Sequence, residues 1–224
     1  GMVAVIHIVL ALQEKSSGWR SVGILAGVLI AVLSQSRLAL LAILIVLPLI
    51  WSLKHAKKPV VWLIASPMPL ILGIFGLPLS EWAEQLIGDI KGARADSTRV
   101  RETLARIAVE RWQNEAPWFG HGIVENGPHL VEYMPIGSHH SWYGLLFVKG
   151  ALGALALAVP LGLTLIALLL KAASAPVYRC GFGLVCIMVL YSFGENLEML
   201  AYLTWPAWAA IGIALSSAEK RQPG

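Results

Sequence analysis

The chain has 224 residues, 57% of them hydrophobic and 13% charged, with a mean hydropathy of +0.71 and a net charge of +4. Soluble domains carry about 25% charged residues, so this composition indicates an integral membrane protein. The charge is no argument for nucleic acid, because the basic residues sit largely in short loops between apolar runs, where the positive-inside rule expects them.

The apolar runs are about 2–12, 19–35, 37–53, 59–80, 140–170, 177–194 and 200–216. Seven tryptophans (Trp19, Trp51, Trp62, Trp82, Trp142, Trp205 and Trp208) lie near run ends, as an aromatic belt places them. The first run is too short to span, which takes roughly 20 residues, and it lacks the leader and cleavage site of a signal peptide. With Gly1 ahead of Met2, the chain is expected to begin inside a membrane helix.

Residues 19–53 pose a choice. A single helix would be about 50 Å long against a hydrocarbon core of about 30 Å, with Arg37 at its middle. Two helices meeting at Ser34-Gln35-Ser36-Arg37 avoid both problems. They also put Lys15 and Arg20 on the same side as Lys54, Lys57 and Lys58. The hairpin is therefore expected. Its arms are slightly short, which leaves Arg37 just below the outer surface, where an ionisable group is a functional candidate.

Residues 81–138 form one long polar segment carrying Arg94, Arg99, Arg101, Arg106, Arg111, His121 and His129. Within it, 97–115 reads as an amphipathic helix, with Val100, Leu104, Ile107 and Ala108 at helical spacing, Asp96 or Ser97 as cap, and Pro117 closing it. Arg99 and Arg106 share a face and Arg101 points elsewhere. Trp118-Phe119-Gly120-His121-Gly122 reads as a glycine-flanked turn rather than an anion-binding backbone nest. Cys180 and Cys186, six apart, do not share a helix face and read as apolar fillers.

The sides then alternate. Segments 13–18, 54–58, 171–179 and the tail 217–224 are cytoplasmic; 34–37, 81–138 and 194–199 lie opposite. The expected architecture is an all-α integral membrane protein. It is a polytopic bundle formed by 1–80 and 139–216, with a long, partly helical extracytoplasmic loop at 81–138.

Chemistry concentrates where that loop re-enters the bilayer, at His139-His140. Histidine moves protons near neutral pH; the alternative is an interfacial pair without such a role. Arg37, Arg99 and Arg101 fall on the same side, and guanidinium groups grip phosphate oxygens bidentately, which suits a diphosphate. Ion pairing with loop acids such as Glu102 and Glu110 suits Arg106 and Arg111 better. Glu195, at another helix end on this side, either orients a histidine, pairs with an arginine or stays solvated. The chain has no zinc-ligand spacing, no His-Glu-x-x-His, no Gly-x-Ser-x-Gly and no P-loop or Rossmann glycines, so neither metal nor cofactor is expected.

Three stretches, in order, carry a family resemblance. They are Ser36-Arg37-Leu38-Ala39; the run from Asp96 through Pro117-Trp118-Phe119-Gly120-His121-Gly122; and His140-Ser141-Trp142-Tyr143-Gly144-Leu145-Leu146 followed by Gly150-Ala151-Leu152-Gly153. Together they resemble the O-antigen ligase and polymerase superfamily of bacterial envelope glycan transferases, of which this chain would be the C-terminal half. Leu38 stands where the family usually has glycine.

The resemblance implies a multi-pass inner-membrane glycosyltransferase working without a metal at the outer face. The donor is a glycan on a polyprenyl diphosphate (undecaprenyl diphosphate) carrier, and the acceptor a glycan, lipid A core or protein. His140 would be catalytic, with His139 as its duplicate. Arg37 and either Arg99 or Arg101 would bind the diphosphate. A competing reading, half of a transporter or flippase that binds such a lipid without chemistry, predicts midplane polar groups and repeated halves. The polar groups here cluster at one face instead, and no repeat is visible.

Overall fold

The structure, a computed structural model, describes residues 1–56, 58, 95–198 and 200–219, without the side chains of 95–98 and 217–219. The expected apolar run 59–80, the start of the polar segment at 81–94 with Arg94, and Lys57, Met199 and 220–224 lie outside the described residues. The helices are α1 (Met2–Ala11), α2 (Ser17–Leu33), α3 (Arg37–His55), α4 (Ala95–Glu115), α5 (Ser141–Ala172), α6 (Pro176–Ser192) and α7 (Ala201–Glu219), with one 3-10 turn at His129–Val131. Among the described residues there is no strand, only an isolated bridge between Asn126 and Pro135.

Between α2 and α3 the chain turns through Ser34–Ser36, with Gln35 in the left-handed region at φ 48°. Ser36 is extended, and its hydroxyl accepts from the Ala39 N–H at 3.3 Å, capping α3 as serine does at helix starts. Arg20 near the start of α2 and Lys54 near the end of α3 line one cleft, so the two helices double back on each other.

Helix α6 is the most enclosed element and packs against α1, α3, α5 and α7. Small residues permit this: a Cβ on Gly183 would meet Ile50 of α3, and one on Gly181 would meet Ala214 of α7. Close packing on small residues is how membrane helices associate where lipid is as apolar as leucine. The outward faces are apolar as well, with Leu25 68%, Leu44 71% and Leu170 79% exposed. An exterior of that kind suits lipid rather than water. Helices α3 and α5 are long and apolar enough to cross a membrane.

The expected run 140–170 is not one straight helix. Gly150 has φ 64° and ψ −167°, a conformation essentially confined to glycine. The break follows from lengths. A straight 32-residue α5 would be about 48 Å long, whereas the 17-residue α6 is about 26 Å. Yet Trp142 Nε1 donates to Ser192 Oγ at the end of α6, and Arg179 near its start donates to the Ala172 carbonyl at the end of α5. Only a bent α5 meets both ends. Its 151–172 arm is about 33 Å long, matching a hydrocarbon core of about 30 Å; its 141–149 arm carries the functional residues.

The stretch 117–122 is spliced into this break. His121 and Gly122 donate backbone N–H bonds to Phe147 and Val148, while Ala151 and Leu152 donate to Pro117 and Trp118. A Cβ on Gly120 would come to 2.5 Å from the Gly150 nitrogen. The N–H of Gly120 itself goes to Ala116. Gly120-His121-Gly122 is thus a turn whose donors are consumed by backbone, which rules out an anion-binding nest there.

Helix α4 is already under way at Ala95, so Asp96 and Ser97 lie inside its first turn rather than capping it. Its apolar stripe is the expected one: Val100, Leu104 and Ala108 are buried in a second core with Val131, Ile136 and Phe147. This core docks the loop helix onto the short arm of α5. Arg111 locks it. Its guanidinium bridges Glu115 and Glu125, at 2.9 and 2.6 Å, and sits 5.1 Å from the Phe147 ring centre. The arginine holds both carboxyls below their usual range. Arg111 therefore pairs within the loop as expected, though with different acids from those named by proximity.

Candidate functional site

The helices sort the charged residues between two ends. At one end lie the α2–α3 turn, the start of α5 and the end of α6: Leu38, beside Arg37, lies where a Cβ on Gly194 would sit, at 2.9 Å. At the other end lie the α1–α2 loop, the end of α3 and the start of α6.

At the first end a cleft of about 270 Å³ opens between α4 and the 137–143 and 193–194 segments. Arg101, Glu102, His139, His140, Tyr143 and Phe193 line it. Three sequence-distant groups of residues converge there. Arg101 arrives because it flanks the buried stripe through Leu104 and Ala105, which line the cleft with it. Arg99, about 200° away around the helix, does not line it.

His139 and His140 arrive because Gly137 (φ 80°) packs against Gly144, so tightly that a Cβ on Gly137 would overlap the Gly144 backbone. The start of α5 is clamped to 195–197. Ser141 donates both its N–H and its hydroxyl to the Glu195 carbonyl, at 3.2 and 2.8 Å, and the Leu197 N–H donates to the same hydroxyl. Asn196 Nδ2 donates to the Gly137 carbonyl.

The two histidines differ. His140 is the N-cap of α5, and its Nδ1 accepts from the Tyr143 N–H at 3.4 Å. In the neutral ring that contact leaves the proton on Nε2. The ring stacks on Tyr143 with centres 4.0 Å apart and meets Phe193 edge-on at 5.8 Å. No hydrogen bond engages the His139 ring among the described residues. Burial pushes both imidazoles below the ordinary histidine value; for His139 the Arg101 charge adds to this and the Glu195 carboxylate opposes it. The neutral form, which can accept a proton, is the favoured one for both.

Arg37 is exposed at the first turn of α3, at this same end, but is not one of the cleft's lining residues. Glu195 contributes its backbone as the clamp and its charge to His139, with no carboxylate hydrogen bond to either histidine. Sequence reasoning passed over Tyr143 and Phe193 as site residues. The signal for Tyr143 was its position three residues after His140 at a helix start, where a side chain and an N–H both face the cap. Among the described residues no cluster of histidine, cysteine or carboxylate side chains could hold a metal ion.

A model of the O-antigen ligase family matches residues 22–158, more than half of the chain. The match includes Arg37, Arg99, Arg101 and both histidines; Glu195 lies beyond it. No curated protein and no solved structure matches the chain significantly.

Proposed function

The chain belongs to the O-antigen ligase family, and we propose that it is a polytopic glycosyltransferase of the bacterial inner membrane. It moves or polymerises a glycan from a polyprenyl diphosphate carrier onto an acceptor hydroxyl at the extracytoplasmic face. In this reading 1–80 and 139–216 form the membrane part, and 81–138 is the outer wall of the site.

The observation that carries the reading is the convergence of Arg101, His139 and His140 on one small cleft at the end of the helices. The acceptor oxygen attacks the donor's anomeric carbon. The bond from that carbon to the diphosphate oxygen breaks, and the diphosphate leaves on its lipid. Arg101, with Arg37 at the same end, stabilises the negative charge growing on the leaving group. The acceptor's proton passes to an imidazole.

The hydrogen bonding divides the work between the rings. His140, with Nδ1 committed to the Tyr143 N–H, donates from Nε2 to a substrate oxygen. His139, whose ring makes no hydrogen bond among the described residues, takes the proton. Glu195 supports both by holding the start of α5 and by placing negative charge near His139.

Glycan transfer by the purified protein, reconstituted with lipid-linked donor and acceptor, tests this. Replacing His139 and His140 together by alanine should abolish transfer. Of the single variants, His139→Ala should lose the proton acceptor and His140→Ala the donor hydrogen bond, so each should fall by about 100-fold or more. Full activity in the double variant would exclude the histidine mechanism. Full activity in His139→Ala alone would return the proton step to His140.

A further inference from the structure

We infer that the end of the bundle opposite the histidine cleft holds a second site, one that binds the phosphate headgroup of an anionic glycerophospholipid. A cleft of about 830 Å³ opens there between the α1–α2 loop, the end of α3 and the start of α6. Four cations line it, each from a different place: Lys15 from the loop, Arg20 from the first turn of α2, Lys54 from the last turn of α3, and Arg179 from the first turn of α6. Its one acid is Glu14, whose carboxylate already accepts from the Ser16 N–H at 3.0 Å.

Arg179 is partly engaged, donating to the Ala172 carbonyl. Lys15, Arg20 and Lys54 make no ion pair with any acid among the described residues. Among the described residues the cleft therefore presents three cations without an acidic partner and a fourth half-used one. Apart from Gln13 the rest of its wall is apolar: Leu47, Pro48 and Trp51 come from α3, and Trp51 is 61% exposed. Cations converging over an apolar wall match an amphiphile with an anionic head and a hydrocarbon tail.

The positive-inside rule explains cations at this end. It does not bring four separate elements' cations onto one cleft with a tryptophan on its wall. Basic pockets between membrane helices are how proteins capture anionic lipid headgroups. The phosphodiester would lie among Lys15, Arg20 and Lys54, with an acyl chain along Leu47 and Trp51. A lipid held this way ties the α1–α2 loop to α3 and α6, helices whose far ends lie at the same end of the bundle as the histidine cleft. This site does not depend on the glycan-transfer reading.

The test is tryptophan quenching of the detergent-solubilised protein by brominated-chain phosphatidylglycerol, with brominated phosphatidylcholine as comparison. Phosphatidylglycerol should quench saturably and phosphatidylcholine should not. Trp51→Phe should remove the saturable part. The Lys15→Ala/Arg20→Ala/Lys54→Ala variant should bind phosphatidylglycerol at least about tenfold more weakly, while Lys15→Arg/Lys54→Arg keeps the affinity. Inorganic phosphate should not displace the lipid. Equal quenching by the two wild-type lipid titrations would overturn the inference, and that comparison needs no variant to fold. Unchanged affinity in the triple-alanine variant, or displacement by inorganic phosphate, would overturn it too.

Discussion

Arg99 and Arg101 stand two residues apart on α4, and both suit the family's loop arginine by position. Spacing along the chain could not choose between them, because the choice depends on which face of the helix docks and on what. The apolar stripe of Val100, Leu104 and Ala108 was legible. Its partner, Phe147 on the short arm of α5, was not, and it is the docking on Phe147 that turns Arg101 into the cleft. Arg101→Lys, which removes the bidentate grip, should lower kcat/KM for the lipid-linked donor about 10-fold or more, since a charge-assisted hydrogen bond is worth about 1.5–3 kcal/mol. Arg99→Lys should stay within about twofold of wild type. A donor titration on the two variants measures both.

The histidine pair makes a pH prediction. Burial disfavours the charged ring for both, so their values lie below the ordinary 6.5. In the proposed mechanism transfer requires His139 neutral. As pH falls, the acid limb of the rate should therefore be centred below 6.5. A pH–rate profile with its acid limb centred above 6.5 would contradict that environment. That His139 and His140 sit at a membrane re-entry was legible in the sequence. That one caps a helix while the other makes no hydrogen bond among the described residues was not, because adjacent identical residues carry no sign of their local backbone.

At the scale of elements, the least visible feature is the break in α5. Residues 141–172 read as one apolar run, and hydropathy does not register a backbone conformation. The clue lay in two glycine-bearing stretches, 117–122 and 150–153, each singled out by family resemblance. The structure gives them a common physical cause: the first is spliced into the helix that the second interrupts. Gly150→Ala must place a Cβ at φ 64° and against the Trp118 carbonyl. It should cost about 1–3 kcal/mol from backbone strain alone and detach the 117–122 turn. Limited proteolysis of residues 116–140 and the midpoint of thermal unfolding should both report the loss. Wild-type resistance in that variant would mean that the break is not what holds the loop. Helix α4, by contrast, was readable almost to the residue at its C-terminal end, where Glu115 precedes Pro117. Its periodic apolar stripe and a closing proline are local signals.

Over the whole molecule, one polarity organises the chain. The histidines, Arg37, Arg101 and Glu195 gather at one end of the helices; Lys15, Arg20, Lys54 and Arg179 gather at the other. Charge counting in short loops was enough to sort these residues, because the bilayer enforces that sorting on any chain that crosses it. The cleft itself needed tertiary contact, since its α4 residues and the 193–194 segment are about 90 positions apart in the chain. In the proposed function this end breaks a glycosyl–diphosphate bond rather than merely holding or moving a lipid-linked glycan. Release of free polyprenyl diphosphate from a labelled donor, followed alongside glycan transfer in proteoliposomes with acceptor present, tests it most directly. The wild type should release one carrier per glycan transferred, and the His139→Ala/His140→Ala protein none, although it should still bind the donor. Donor that is bound or moved across the bilayer by the wild type with its carrier still attached would contradict it.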